Sequence, residues 1–400
     1  MPIVVGIDVA KEVHWTAIKI RETGKVLASH KVDNTPTDLA ELIDEIRAVE
    51  IEHGPAVVGI DILGGIAALL EAMLLDAQLA VVHVPGLAVN RARRGTTGGE
   101  HKSDPKDASV IADQVRMRDD LRPVTTQREL DVELRLFVGR RSDVVADQTR
   151  RAARIRDLLV SIHPGLERVV DVTTKTGLHL LTRYATPHQI RAAGRRRLLT
   201  HMRKVSHVKE SSIEKLVDAA LTAAQAQHVA VPGEAVTAEI IHALAHEALT
   251  GRDQLKTIDT RIQEILDRHP DAALIRSLPG MGATLTAEFL AITGGLDRYP
   301  TGDHLAAAAG VAPVLKQSGK VRYLQRPTAG DKALKRVFYQ SAFIATSCDP
   351  TSKTYYQRKR SEGKAHHQAV LALARRRVNV LHAILRTRQP YEPRHSTNAA

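Results

Sequence analysis

The sequence predicts a mixed α/β domain at the N-terminus and a long, largely helical remainder. Three observations carry that division. Short apolar runs bounded by turn residues fill the stretch up to residue 84. From about residue 122 the apolar residues recur at helical three-four spacing instead. Hydrophobic residues make up 43% of the 400 but aromatic ones only 3%, so the cores of both parts must be built from Leu, Val, Ile and Ala.

The elements follow in order. Residues 2–8 read as a first strand. "HWTAIKI" (14–20) and "VLASHKV" (26–32) read as the second and third, joined by the turn "ETGK". Connections this short suggest an antiparallel meander. "TDLAELIDEIRAVE" (37–50) reads as a helix with Thr37 at its N-cap. "PAVVGID" (55–61) is a short apolar strand, "GGIAALLEAMLLDAQ" (64–78) a helix and "LAVVHV" (79–84) another strand. A last helix opens at "SDPKDASVIADQVR" (103–116). Three strands, then helix, strand, helix, strand, helix is the order of a ribonuclease H-like fold.

In the second region Leu130, Leu134, Phe137, Val144, Ala152, Ile155 and Leu159 keep a rough three-four rhythm. Ile241, Leu244, Ala248, Gly251, Leu255, Ile258, Ile262 and Ile265 keep it without a break, as in the seam of a coiled coil or long helical hairpin. Gly251 inside that seam costs about 1 kcal/mol against Ala. The expectation is two long helices packed on each other or on a second protomer, with the seam helping to hold at least a dimer. Residues 165–235 between them are polar and basic, densest at "RAAGRRR" (191–197), where Arg195, Arg196 and Arg197 suit phosphate. A third region starts near Ala272, where "SLPGMGATLTAEFLA" (277–291) sets Gly280 and Gly282 in a tight turn before a helix. The reading divides the chain at 1–121, 122–270 and 271–386, with a loose tail at 387–400.

A formal net charge of +12 favours a polyanionic partner. The scarcity of aromatics argues against base-stacking platforms for single strands and for contacts to a duplex backbone. Cys348 is the one cysteine, so neither a disulfide framework nor a thiolate zinc site can be built. No signal peptide and no apolar run of bilayer length is evident, which leads to the expectation of a cytoplasmic protein without membrane contact.

The candidate chemistry lies in carboxylates. In a ribonuclease H-like sheet the ends of the first and fourth strands lie side by side. Asp8 ends the first and Asp61 the fourth, and the last helix, packed across that end, starts with Asp104 and Asp107. Like charges gathered in this way call for divalent cations, and Mg²⁺ takes carboxylate oxygens. Two such ions can activate an attacking oxygen and stabilise a leaving one at phosphorus. The same "DPKD" also reads as an ordinary helix start, with Asp104 at the N-cap, Pro105 at N1 and Asp107 at N3. His242 and His246 have metal-ligand spacing but no third ligand nearby, and read as a surface pair.

"GIDVAK", the "DPKDA" helix start, "LPGMG", "GVAPVLKQSGK" and "GDKALKR" occur in the order seen in the DEDD transposases of insertion sequences, the one-ten family, related to the Piv DNA invertase. The chain resembles that family from residue 3 to about 385. The resemblance implies a RuvC-like N-terminal domain, a coiled-coil connector and a C-terminal transposase domain. It implies an acidic tetrad of Asp8, Asp61, Asp104 and Asp107 holding Mg²⁺ or Mn²⁺, with Asp61 standing where the family commonly has Glu. It also implies a catalytic serine before a glycine, here Ser318, and recombination of double-stranded DNA guided by a bridge RNA.

A serine suits that chemistry. A hydroxyl nucleophile keeps the phosphodiester energy in a protein–DNA bond, so strands can be exchanged and resealed without ATP. Ser318 lies more than two hundred residues from Asp107, so the expected site is assembled between domains. "Q-S-G-K" is equally an ordinary polar turn. Tyr355 and Tyr356, set among Lys353, Arg358, Lys359 and Arg360, are rival nucleophiles. "LPGMG" also resembles a helix-hairpin-helix turn, whose glycines let backbone N–H groups approach phosphate. Lys316, Lys320, Arg322, Lys332, Lys335 and Arg336 surround the serine segment and suit DNA or RNA phosphates alike. The expected function is a DNA transposase acting as a dimer or tetramer. The alternatives are a RuvC-like nuclease that hydrolyses branched DNA, and a nucleic-acid-binding protein without enzymatic activity.

Overall fold

The computed structural model of the chain describes residues 2–95, 103–125, 128–296, 298–319, 321–325 and 327–393. They fall into two compact units, which divide after residue 127. The first holds β1 (Ile3–Asp8), β2 (Val13–Ile20), β3 (Val26–Asp33), α1 (Pro36–His53), β4 (Ala56–Ile60), a 3₁₀ turn (Gly65–Ala67), α2 (Ala68–Asp76), β5 (Ala80–His83), α3 (Gly86–Arg94), α4 (Asp104–Met117) and β6 (Arg122–Pro123). The sheet order is β3-β2-β1-β4-β5-β6. β1, β4 and β5 run parallel, while β2, β3 and β6 are antiparallel to their neighbours. This is the expected ribonuclease H-like arrangement, with α3 and β6 added. One local expectation needs correcting: Thr35, not Thr37, caps α1. Its side chain accepts from the Asp38 N–H, and Pro36 takes the first helical position, where its fixed φ starts the helix early.

The peptide Val-Val-Gly-Ile-Asp occurs at 4–8 and again at 57–61. The copies lie side by side in register, with Gly6 opposite Gly59. Alternation sends Ile7 and Ile60 to one face, against Leu39, Leu42 and Ile46 of α1 and Leu70 and Leu74 of α2. The other face carries Val4, Gly6, Asp8, Val57, Gly59 and Asp61, and α4 packs there through Ile111, Ala112 and Val115. The glycines set how closely it packs. A Cβ on Gly6 would stand 2.2 Å from the Ala108 carbonyl oxygen and 2.3 Å from the Ala112 nitrogen. One on Gly59 would stand 2.4 Å from Val115 Cγ2. The buried Lys19 of β2 adds a polar anchor, donating from Nζ to the Ser109 carbonyl at 3.1 Å and to Asp113 Oδ2 at 2.9 Å.

The second unit is helical apart from one hairpin. α5 (Glu129–Ile162) and α10 (Glu234–Arg268) form a long antiparallel pair. α6 (Pro164–Val169), α7 (Lys175–Leu181), α8 (Pro187–Met202) and α9 (Glu210–Gln225) fold onto its far end in a core that includes Ile155, Leu180, Leu198, Val217 and Ile241. The chain continues through α11 (Ala272–Ser277), α12 (Ala283–Thr293), α13 (Gly302–Ala308), β7 (Val314–Ser318), β8 (Val321–Gln325), α14 (Lys332–Cys348), α15 (Pro350–Ser361) and α16 (His366–Thr387). Phe289, Phe338 and Leu373 from this segment share one core with Leu134, Ile258, Ile262 and Ile265 of the long pair. The expected boundary at 270/271 therefore runs through a continuous core.

The seam does not await a second protomer. Ile241, Ala248, Gly251, Ile258, Ile262 and Ile265 are buried within the chain, because α10 is covered by α5 and, toward its start, also by α7. The structure also accounts for Gly251. Gln148 of α5 reaches into the seam and donates to the Ala248 carbonyl at 2.7 Å, and a Cβ on Gly251 would meet its Nε2 at 2.2 Å.

The two kinds of glycine predict opposite results. In Gly6→Ala the new methyl meets backbone atoms that cannot yield, so denaturant unfolding followed by Trp15 fluorescence should show a loss of at least about 1–3 kcal/mol. In Gly251→Ala it meets only the movable end of Gln148, and the gained helix propensity offsets the lost hydrogen bond. Its stability, followed by helical circular dichroism, should stay within about 1 kcal/mol of the parent.

Candidate active site

Asp8 is the last residue of β1, and Asp61 follows β4 directly. The two strand ends are joined, since the Val9 N–H donates to Asp61 Oδ1 at 3.4 Å. Neighbouring side chains fix the loops around them. The buried His14 accepts the Ala10 N–H on Nδ1 at 3.2 Å, and burial holds its pKa below the usual histidine range, which keeps that nitrogen free to accept. The buried Glu71 of α2 accepts the Gly64 N–H at 3.0 Å, pinning the turn behind Asp61. His83 Nε2 lies 3.3 Å from the Asp61 carbonyl oxygen.

α4 brings the second pair of carboxylates. Asp104 is its first residue and exposed, and Asp107, one turn on, is buried. The helix-start reading of "DPKD" is displaced by one residue. Ser103 holds the N-cap, Pro105 is the second helical residue, and no side chain caps the helix. Asp107 instead turns to α3: Arg93 Nη1 donates to its Oδ1 at 2.8 Å and its Oδ2 at 2.7 Å, while Arg93 Nη2 donates to Asn90 Oδ1 at 3.2 Å.

The electrostatics tie Asp61 to Asp107. Burial pushes the Asp61 carboxyl above its ordinary range, and the negative charge of Asp107 pushes the same way. The Val9 N–H, its own backbone N–H and His83 pull it back. Carboxylates are the hard oxygen donors that Mg²⁺ takes, so the donor set fits a divalent cation in kind. Among the described residues, however, no three acidic, histidine or cysteine side chains are gathered closely enough to hold one. The guanidinium of Arg93 instead pairs with both oxygens of Asp107.

In the second unit Ser318 ends β7, exposed, next to Gly319 at φ +55°. It pairs with Val321 across a two-residue hairpin. Lys316 and Arg322 on the two strands are exposed, and Lys320 lies outside the described residues. Of the remaining basic candidates, Lys332, Arg196 and Arg197 are exposed and Lys335 is half-buried. Arg336 is held by Glu288 at 2.7 Å and Arg195 by Asp218 at 2.7 Å. Gly280 has φ +82°, and a Cβ there would stand 2.5 Å from the Ser341 carbonyl oxygen, so the "LPGMG" turn packs directly on α14. Gly282 is exposed and caps α12. Tyr356 shares a hydrogen bond with His366 Nδ1 at 2.8 Å, and Arg358, Lys359 and Arg376 surround the Tyr355 ring. His242 is half-buried and bonded to the Leu181 carbonyl oxygen through Nδ1 at 2.7 Å, while His246 is exposed.

Residues 5–164 match the DEDD transposase model of the IS110 type, and residues 272–357 match the family described as transposase IS116/IS110/IS902. The insertion element IS900 42 kDa protein of Mycobacterium paratuberculosis is 41% identical over 402 residues, covering 100% of this chain and 99% of its own. The chain belongs to the IS110 family of transposases. A second member, the IS116 44.8 kDa protein of Streptomyces clavuligerus, is 40% identical over 97% of this chain and 96% of its own. The pilin gene-inverting protein of Moraxella lacunata is 26% identical over 36% of this chain and 46% of its own. Among solved structures, Thermus thermophilus RuvC in complex with a Holliday junction substrate is similar over 31% of this chain and 100% of its own, at 16% identity and a TM-score of 0.24. Among the described residues no helix is long and apolar enough to cross a membrane.

For this family member the raised pKa of Asp61 sets the sign of a pH effect. The folded state favours the protonated acid, so its contribution is full below the unfolded carboxyl pKa and is lost as pH rises through the folded one. Asp61→Asn removes that cost. In EDTA at neutral pH it should melt above the parent, and the difference should shrink as the pH falls below the carboxylate range.

Proposed function

We propose that the chain is the transposase of an insertion sequence, cutting and rejoining DNA by phosphoryl transfer to a serine hydroxyl. What supports the reading is the electrostatic link of Asp61 to Asp107, with Asp61 bonded to the Val9 N–H just past the strand end of Asp8, in a strongly basic member of a transposase family. Asp8, Asp61, Asp104 and Asp107 would hold Mg²⁺ or Mn²⁺, which when bound supplies an activated attacking oxygen and a stabilised leaving oxygen. Ser318 is the nucleophile. Its oxygen bonds to phosphorus as the bond from phosphorus to a sugar oxygen of the DNA breaks, and the serine proton passes by way of solvent to that departing oxygen, leaving a free DNA hydroxyl. One phosphoester replaces another, so the reverse attack reseals the strand. Lys316 and Arg322 on the hairpin offer charge to the backbone on either side. Double-stranded DNA from the element ends and the target, a bridge RNA guide and further copies of the chain, as a dimer or tetramer, are the partners. The site of action is the cytoplasm.

Two experiments test this. Asp8→Asn and Asp104→Asn should lose DNA cleavage while keeping the fold, and either variant cutting DNA normally with Mg²⁺ would exclude the acidic site. Ser318→Ala should lose strand exchange yet bind nucleic acid with an unchanged salt slope, because the phosphate-contacting cations remain. Normal recombination by that variant, or a DNA adduct on Tyr355 or Tyr356, would overturn the serine assignment. Cleavage without any adduct would favour hydrolysis.

A further inference from the structure

We infer that Arg93 is a positioning residue that sets access of divalent cations to the acidic site. The inference rests on the proposed metal dependence. Arg93 takes both oxygens of Asp107 with a single nitrogen, at 2.8 and 2.7 Å. The pair is withdrawn from water, with 14% of the Arg93 side chain and 6% of the Asp107 side chain exposed. At such a site a charge-assisted pair is strong, and an unpaired carboxylate is costly. A divalent cation needs the same oxygens. Guanidinium and cation are therefore competitors for one ligand, and each supplies the positive charge that the buried Asp107 requires.

Arg93 is carried by the less deeply anchored of the two helices. It lies in the last turn of α3, a helix of nine residues of which only Val89 is buried. No side chain caps the helix at its start. Asn90, one turn back, steers the second guanidinium nitrogen. The cation is thus carried by an element with little core of its own, whereas Asp107 is carried by α4, fixed to the sheet at Gly6 and Lys19.

The test is titration of the full chain with MnCl₂ by calorimetry, with no turnover involved. Arg93→Gln should bind Mn²⁺ at least about tenfold more tightly than the parent, equivalent to about 1.4 kcal/mol. Arg93→Lys, which keeps a charge but loses the planar fork, should fall between them. Asp107→Asn should lose the binding that Arg93 controls. In EDTA Arg93→Gln should melt below the parent, and saturating MnCl₂ should restore it, because the ion then satisfies Asp107. Unchanged or weaker Mn²⁺ binding by a folded Arg93→Gln, or a loss of fold that MnCl₂ does not rescue, would overturn the inference while leaving metal dependence intact. Absence of Mn²⁺ binding in the parent and all variants would instead remove the metal reading itself.

Discussion

The first unit depends on one close approach, the backbone of α4 lying directly on β1 at Gly6. Ala108 and Ala112 stand where a Cβ on Gly6 would be, and Gly59 opens the same groove on β4. Lys19 then locks the helix to β2 through Ser109 and Asp113. Everything acidic is measured from that contact. Asp8 is two residues beyond Gly6 and Asp61 two beyond Gly59, so both share the face on which α4 sits. Asp107 is one residue before Ala108. A helix held further out by side chains would carry Asp107 away from Asp61, and the electrostatic link between them would weaken.

That closeness has a cost, and its relief explains the neighbouring residues. Burial, and to a smaller degree the charge of Asp107, raises the energy of the ionised Asp61. Asp61 answers with a raised pKa and with N–H donors from the backbone. Asp107 answers with Arg93. His83 and Glu71 hold the loop through the Asp61 carbonyl oxygen and the Gly64 N–H. In the second unit the same need for close approach recurs at Gly280, where the turn before α12 meets the backbone of α14, and at Gly251, where Gln148 enters the seam.

Much of this was legible in the sequence. The strand and helix order up to β5 follows from apolar runs and turns, and Asp8, Asp61 and Asp107 from their places at strand and helix ends. The twofold "VVGID" was a further signal, since paired copies announce adjacent strands with matching glycines. Arg93 was hidden because "RARR" reads as a solvated basic run, and no local pattern says that one of its arginines turns inward to a carboxylate ten or more residues on. The β7–β8 hairpin gives no sequence signal, because its residues are almost all exposed and burial leaves no alternation to read. The periodicity marks the seam but does not fix its partner. Periodicity shows that a stripe is covered, and only the folding back of residues 165–235 shows that α5 covers it.

The account stands on the electrostatic link between Asp61 and Asp107, and that can be measured at Asp61 itself. An NMR titration of the Asp61 carboxyl in metal-free buffer should give a pKa above the ordinary carboxylate range in the parent chain. The same titration in Asp107→Asn should give a lower value, because a neighbouring negative charge has been removed. An Asp61 pKa that starts in the ordinary range, or that does not fall when Asp107 is neutralised, would contradict the convergence on which the acidic site is built.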